Sequence, residues 1–273
     1  LPDLVTAAGA RGAGAVAILS SGLNDRTPDD AGLLARVAEV ARDHRVRVLG
    51  PNSLGLLRPS IGLNASFAGT AARPGAMALV SQSGGLVSAM LDWALADGLG
   101  FSSVISLGNQ LDVDFAEALD FLTNDAQTDS IALYVESVHG ARRFMSALRA
   151  AARIKPVVVL KSGRGPAGSL AASTHTGAMA TPDEAFDAAD GMSADDDFTR
   201  GADVDGRVFF RIEVLQQRRC AAIDEAVHQR LVQRVRQPVL DLARAAAPCL
   251  GVEQPVATVG GVGPGADFGE AVL

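Results

Sequence analysis

Short apolar runs alternate with amphipathic stretches along the first 163 residues of the chain. The apolar runs predict buried strands at 15–19, 46–50, 76–81, 102–108, 130–137 and 156–163. Between them, apolar residues spaced by three or four predict helices at 31–44, 85–99, 114–125 and 140–154. This alternation indicates βαβ units, and the absence of polar alternation in the strands indicates that helices cover both faces. The sequence therefore predicts an α/β fold with doubly wound parallel sheets.

Two breaks interrupt this pattern. Residues 51–74 are rich in Gly, Pro and Asn but keep several apolar side chains, so we expect a connection between domains that packs against its neighbours. After Ala189 the composition changes abruptly, and an Arg/Gln-rich stretch from Glu213 no longer alternates with strands and could be one or two helices. We expect residues 191–273 to form a divergent tail, helical or partly disordered, as in a truncated or frame-altered gene product.

Charge and cysteine content exclude several classes of function. The net charge of −7 and the pI near 5.1 leave no basic footprint for nucleic acid. No apolar run reaches the roughly 18 residues that a membrane span needs, and the N-terminus shows no signal-peptide pattern. Cys220 and Cys249 cannot form a disulfide framework, so we expect a cytoplasmic protein without membrane contact.

The run ALVSQSGGLVSAML combines a strand, a Ser/Gly turn and a helix. Unpaired N–H groups and the helix dipole make such a helix start favourable for an anion, and Gly84 and Gly85 allow close approach. Ser81 and Ser83 can add hydroxyl donors, so a phosphate or carboxylate would fit here. Alternatively, Ser83 simply caps the helix.

Two further strand ends carry polar residues. Gly108 and Asn109 follow the strand at 102–108, and ligands of open α/β sheets bind at the carboxyl ends of strands. Taken alone, that stretch is better explained by a helix cap at Asp112 or Asp114. Glu136 ends the strand at 130–137, where it could orient an imidazole or could equally be a solvated edge residue.

The run KSGRGPAGSLAASTHTGAMA places a lone His175 in a loop of small residues after the strand at 156–163. No second His or Cys stands at metal-ligand spacing, so we predict no metal site, and no G-x-S-x-G nucleophile elbow occurs. His139 is predicted to lie on the surface. A histidine that takes up a phosphoryl group needs a carboxylate and an electropositive pocket. Glu136 and the turn at residues 83–85 offer both at the same sheet edge.

Five motifs stand in the order and spacing of a known family. They are GPNSLGLL (50–57), VSQSGG (80–85), SLGNQLDVDF (106–115), YVES (134–137) and KSGR…STHTGA (161–178). Over residues 1–189 the chain resembles the NDP-forming acyl-CoA synthetases, relatives of the succinyl-CoA synthetase α subunit. That resemblance implies the C-terminal part of a Rossmann-like CoA-binding domain plus linker at 1–70, then a flavodoxin-like succinyl-CoA-synthetase-type ligase domain with the His loop at 71–190.

The resemblance also implies roles for individual residues. His175 matches the histidine that carries the phosphoryl group, and Glu136 matches the glutamate that holds it. Ser83 and Gly84, with Ser81 and Gly85 beside them, match the helix start that receives phosphate. On the substrate side, Asn109 lies in the loop that lines the acyl pocket, and we add Asn52 and Gly108 as substrate-binding residues.

By resemblance the chain is a module of an acid–CoA ligase that transfers a phosphoryl group between acyl-CoA with phosphate and ATP/ADP. The expected partner is an ATP-grasp domain or subunit, which would hold Mg²⁺, in an oligomer. We do not expect the isolated chain to be competent alone. The alternatives are an acyl-CoA-sensing regulatory module of a GNAT protein acetyltransferase and an inactive truncated fragment.

Overall fold

Two β-sheets organise the protein, which we describe from a computed structural model. The structure describes residues 1–23, 27–161, 209–215 and 256–260, the last two as backbone strands. The small sheet pairs two parallel strands, and two helices that pack on each other complete its core. These elements are α1 (Pro2–Ala10), β1 (Ala15–Ala17), α2 (Pro28–Asp43) and β2 (Arg47–Leu49).

The large sheet has the strand order β10-β9-β8-β7-β5-β6-β3-β4. Its strands are β3 (Gly55–Arg58), β4 (Leu63–Ser66), β5 (Arg73–Ser81), β6 (Gly100–Ser106), β7 (Ser130–Val135), β8 (Val157–Lys161), β9 (Phe209–Leu215) and β10 (Val256–Gly260). Its helices are α3 (Gly84–Ala96), α4 (Phe115–Asn124) and α5 (Ala141–Ala152). Strands β6, β5, β7 and β8 are mutually parallel, whereas β3 and β9 pair antiparallel with β6 and β8.

Each face of the large sheet has its own apolar core. Leu79 of β5 packs in the core that includes Leu86 and Met90 of α3. Its neighbours Ala78 and Val80 point to the opposite face, where α4 and α5 supply the apolar side chains. Successive side chains of a strand alternate between faces, so a continuously apolar strand needs cover on both. The predicted α/β fold with helices on both faces of a largely parallel sheet is therefore confirmed.

Several elements differ from the sequence-based expectation. Residues 51–74, predicted as a connection, contain β3, a 3₁₀ turn (Pro59–Ile61) and β4. Strand β3 pairs antiparallel with β6, and β4 pairs antiparallel with β3, so both extend the large sheet. Segments 209–215 and 256–260 are strands, and the first overlaps the start of the Arg/Gln-rich stretch that was expected not to alternate with strands. The helices predicted after Glu213 otherwise fall on residues outside the described ranges, as does most of the Gly-rich end. None of the helices in the described ranges is both long and apolar enough to cross a membrane.

Candidate active site

The large sheet changes winding direction next to β5. From β5 the chain passes through α3 to β6 on one side, and later places β7 on the other side of β5. The connections after β5 and β7 therefore leave a crevice at the carboxyl edge, where ligands of open α/β sheets bind. Ser81 ends β5 opposite Tyr134 of β7, so the turn at 82–85 and Glu136 flank this crevice.

The turn after β5 is built by its two serines. The Ser81 hydroxyl donates to Ser83 O (2.9 Å) and accepts from Ser83 N (3.1 Å), so it shapes the turn. Ser83 Oγ accepts from Leu86 N (3.3 Å), which confirms the capping interpretation. The N–H groups of Gly84 and Gly85 find no acceptor among the described residues. With the positive end of the α3 dipole, they form a start that favours an anion.

Space for a ligand exists at the second glycine of this turn. A Cβ atom built on Gly85 would meet no heavy atom of the described residues within 4 Å, and Gly85 is exposed. On Gly84 a Cβ would make ordinary contact with Leu54, at 3.5 Å. The open side of the helix start is therefore at Gly85, while Gly84 faces the body of the protein.

Glu136 lies inside the protein, with 5% of its surface exposed, so the alternative of a solvated edge residue is wrong. Its backbone is held by Gln82, whose Oε1 accepts from Glu136 N (2.6 Å) and Ser137 N (2.9 Å). Gln82 Nε2 donates to Ser137 Oγ (3.1 Å). We call Gln82, Glu136 and Ser137 the amide clamp. The role of Gln82 was not predicted from the sequence, where its signal is an amide between the two serines of the turn.

The residues predicted on the substrate side lie where the small sheet meets the large one. Gly108 has φ +57°, and a Cβ there would lie 2.1 Å from Pro51 O, so only glycine fits. Asn109 N donates to Pro51 O (2.8 Å), and Asn109 Nδ2 donates to Leu23 O (2.7 Å). Asn52, with φ +58°, donates its N–H to Ser20 O (2.9 Å). The structure thus brings Asn52, Gly108 and Asn109 together.

The next residue of that loop was also missed. Gln110 is 7% exposed and has φ +56°. Its Nε2 atom is buried and has no hydrogen-bond partner in the part of the chain that the structure describes. Buried amides are normally satisfied, so this one marks the loop as unusual. Nothing in its sequence context distinguishes it from a solvated glutamine.

Charged side chains cross the contact between the two sheets. Arg47 of β2 binds Asp112 through Nε (2.8 Å to Oδ2) and Nη2 (3.1 Å to Oδ1), and it also pairs with Glu117. Arg143 of α5 contacts Asp114 (3.3 Å) and Glu117 (3.0 Å). We call these five residues the ionic seam.

The two aspartates of the ionic seam also organise the local backbone. Asp114 Oδ1 accepts from Glu117 N (3.0 Å) and so caps α4, as the alternative explanation of this stretch predicted. Asp112 Oδ2 accepts from Val48 N (2.8 Å). Burial alone would raise the pKa of Asp112, but hydrogen bonds from Arg47 and Val48 N outweigh it and hold the pKa below its usual value.

His175 falls outside the described residues. The strand that precedes it does not: Lys161 ends β8 opposite Val135 of β7. The chain therefore leaves β8 at the same edge as the amide clamp and reaches His175 in sequence 14 residues later. His139 is exposed, as predicted. The described residues contain no group of three or more His, Cys, Asp or Glu side chains that could hold a metal ion.

Comparison with known proteins defines the class of this domain. Residues 74–192 match the family described as the succinyl-CoA ligase like flavodoxin domain, and this part of the chain belongs to that family. The flavodoxin-like strand order β6-β5-β7-β8 agrees with it.

Curated relatives of this chain are ADP-forming acetate–CoA ligases. The chain is 39% identical over 189 residues to acetate–CoA ligase (ADP-forming) I of Archaeoglobus fulgidus, covering 69% of this chain and 28% of the relative. It is 37% identical to the corresponding α subunit of Pyrococcus furiosus, covering 69% and 41%. The resemblance to this family is thereby confirmed, although the chain spans less than half of either relative.

A solved structure supports the same family. The acetyl-coenzyme A synthetase 1 of Ca. Korarchaeum cryptofilum, determined in complex with phosphate and ADP, superposes with a TM-score of 0.64 at 31% identity. The superposition covers 68% of this chain and 40% of that one.

Proposed function

We propose that this chain carries the phosphoryl-transfer part of an ADP-forming acid–CoA ligase, with His175 as the phosphoryl carrier. The observation that carries the proposal is that several functional groups meet at the carboxyl edge of the sheet between β5 and β7, the switch point where the winding direction changes. An anion-binding helix start and a buried glutamate flank one crevice, and the chain leaves the neighbouring strand β8 towards His175 at the same edge. The names of the relatives support the reaction class.

The proposed reaction has three balanced steps. A phosphate oxygen attacks the thioester carbonyl of acyl-CoA, the C–S bond breaks, and CoA leaves as the thiol with an acyl phosphate remaining. An imidazole nitrogen of His175 then attacks phosphorus, and the P–O bond to the acyl group breaks to release the carboxylate. Finally, a terminal oxygen of ADP attacks the phosphohistidine, the P–N bond breaks, and ATP forms. Each step is reversible.

The residues at the edge take distinct roles in this scheme. The N–H groups of Gly84 and Gly85 and the Ser83 hydroxyl bind the phosphoryl oxygens, while Ser81 holds the shape of the turn. The Glu136 carboxylate accepts from one imidazole N–H of His175, which fixes the tautomer and leaves the other nitrogen free to attack.

The acyl-CoA side completes these assignments. Asn52, Gly108 and Asn109 lie together where the two sheets meet, and we propose that they border the acyl-CoA site. We interpret residues 1–70 as the end of a CoA-binding domain and residues 71–190 as the ligase domain. Coenzyme A enters as part of the substrate.

Several parts of the proposed enzyme lie beyond this chain. An ATP-grasp domain or subunit would supply the nucleotide site and its Mg²⁺, and the α-subunit name of the Pyrococcus relative supports such a partner. We therefore expect no turnover by the chain alone, an oligomeric holoenzyme, and a cytoplasmic location, for which the low cysteine content is the support.

Phosphohistidine labelling tests the proposal directly. We would mix the chain with the ATP-grasp subunit of a relative and ATP labelled at the γ-phosphate, and assay base-stable, acid-labile label. The wild type and the matched surface control His139→Ala should become labelled, and His175→Ala should not. Label that persists in His175→Ala, or a folded wild type that stays unlabelled, would overturn the proposal. The second result combined with acyl-CoA binding would favour the GNAT-type sensing module, and without binding an inactive fragment.

A further inference from the structure

One side-chain amide joins the two strand ends that flank the switch point. The β5–β7 ladder ends at the pair Ser81–Tyr134. Beyond it, Gln82 N still donates to Tyr134 O (3.2 Å), and Gln82 Oε1 accepts from the N–H groups of Glu136 and Ser137. The side chain thus continues the sheet for two residues after the backbones have parted.

Burial makes these bonds hard to replace. Gln82, Glu136 and Ser137 are 7%, 5% and 4% exposed. Water has little access to the two N–H groups, and a buried donor that loses its acceptor bears its full desolvation cost. Gln82 Nε2 adds a bond to Ser137 Oγ (3.1 Å), which orients the amide and prevents it from flipping. The position of Glu136 relative to β5 is therefore set by Gln82.

The same residue lies directly before the anion-binding helix start. Gln82 precedes Ser83, the N-cap of α3, so one rigid residue connects the proposed phosphate site with the proposed imidazole partner. A phosphoryl transfer needs these two at a fixed separation, because misplacement by about 1 Å can cost about a hundredfold in rate.

We propose that Gln82 is a positioning residue for phosphoryl transfer, which holds the Glu136 carboxylate at a fixed distance from the start of α3. This proposal rests on the proposed function of the site. In the part of the chain that the structure describes, the side-chain hydrogen bonds of Gln82 go to Glu136 N, Ser137 N and Ser137 Oγ. Its effect on the reaction must therefore pass through Glu136, and that dependence separates it from a residue that only stabilises the fold.

A double-mutant cycle tests this dependence. We would measure the rate of His175 labelling for Gln82→Met, Glu136→Gln and the double variant, each mixed with the ATP-grasp subunit and labelled ATP. Gln82→Met removes all three side-chain bonds at similar volume, and we expect labelling to slow by about tenfold to a hundredfold with the KM for ATP unchanged. If Gln82 acts through Glu136, the double variant is no slower than Glu136→Gln alone.

A milder variant keeps the proposal testable if Gln82→Met does not fold. Ser137→Ala removes only the Nε2 bond, and we expect labelling to slow by about twofold to fivefold, with no further slowing in the Glu136→Gln background. Gln127→Met, a change of the same type at an exposed glutamine, should label like the wild type. If Gln82→Met does not fold, the Ser137→Ala cycle decides alone.

The outcomes distinguish the two proposals. An unlabelled, folded wild type contradicts the proposed function itself. A wild type that labels on His175 while Gln82→Met labels at the wild-type rate overturns the positioning role. Independent, multiplying effects of Gln82 and Glu136 variants also overturn it, because they show that Gln82 acts on stability or on another part of the site.

Discussion

The amide clamp and the ionic seam hold two loops at the same edge of the sheet by opposite means. The amide clamp uses neutral hydrogen bonds between residues that are 4–7% exposed. The ionic seam uses formal charges, with Arg47 49% and Arg143 57% exposed and their three carboxylate partners 15–33% exposed. The amide clamp fixes Glu136 beside the anion site. The ionic seam helps to tie the loop of Gly108 and Asn109 to the small sheet.

This difference indicates how firmly each loop is held. Exposed ion pairs contribute little because water and salt screen them, whereas a buried amide leaves costly unpaired donors when it is lost. The ionic seam should therefore add little to stability, and the loop beside it is held to residues 48–51 mainly by backbone hydrogen bonds from Asn109, Leu111 and Val113. The amide clamp, in contrast, depends on one buried side chain.

The largest expected effect comes from a substitution that disrupts the close backbone contact beside the ionic seam. Gly108→Ala should lower the free energy of unfolding by about 3–4 kcal/mol, because a Cβ atom would meet Pro51 O at 2.1 Å in a left-handed conformation. Gly62→Ala is the matched control and should cost about 1 kcal/mol, since Gly62 has φ +68° and a Cβ there would meet no described atom within 4 Å. Urea unfolding measures both, and equal losses would contradict the close approach.

Gln82→Met breaks the amide clamp and should lower the free energy of unfolding by about 3 kcal/mol, since two buried N–H groups lose their acceptor. The loss should be the same at 0.05 M and about 1 M salt, because no formal charge is involved. Urea unfolding at both salt concentrations checks this. A loss that shrinks markedly with salt would remove the contrast with the ionic seam.

A buried ion pair elsewhere sharpens the comparison. Asp125 is 7% exposed, with Arg58 Nη2 at 2.7 Å. Burial alone would raise the pKa of Asp125, but hydrogen bonds from Arg58 and Thr128 outweigh it and lower the pKa below the ordinary 3.8. Asp125→Asn should lower the free energy of unfolding by about 1–2 kcal/mol at pH 7.

The pH dependence of that loss follows from the sign of the shift. A lowered folded-state pKa gives stability that is complete above the unfolded pKa and disappears as the pH falls through the folded value. The difference between wild type and Asp125→Asn should therefore be constant from pH 7 to about 5 and shrink below about 4. Urea unfolding across this range measures it, with the exposed Asp97→Asn as control. A difference that grows at acid pH would contradict the pairing.

The smallest expected effect comes from a substitution that removes the central cation of the ionic seam. Arg47→Met should lower the free energy of unfolding by only about 0.5 kcal/mol at low salt, and less at about 1 M salt, because Arg47 is half exposed. Arg36→Met, at an exposed arginine of α2, controls for the change of charge. A salt-independent loss as large as that of Gln82→Met would show that the two regions are held alike.

The parallel core of the fold could be predicted because its signal is local. Strands such as β5 and β7 are continuous apolar runs, and Asp114 marks the start of α4 by its type and position. The antiparallel strand β3 could not be predicted, because only Leu56 and Leu57 pair with β6 and the neighbouring Pro and Gly residues suggest a loop.

The residues of the candidate site also divide into those that the sequence indicates and those that it does not. Glu136 and the turn at 83–85 were recognisable because each follows a strand and matches a motif. Gln82 and Gln110 were not, because their significance lies in burial and in partners or the lack of them, which depend on contacts distant in sequence. Tertiary packing decides whether a glutamine side chain is solvated or buried, and the composition of the sequence does not indicate which of the two applies.

The positions of β3 and β4 affect where a fragment that contains the whole large sheet has to begin. The matched family model begins at residue 74, yet β3 and β4 at 55–66 form one edge of the same sheet. An expression fragment or a recombination event that starts at residue 74 would strip both strands and leave β6 as a bare edge, a template for aggregation. The structural unit is therefore longer at its start than the stretch that matches the family.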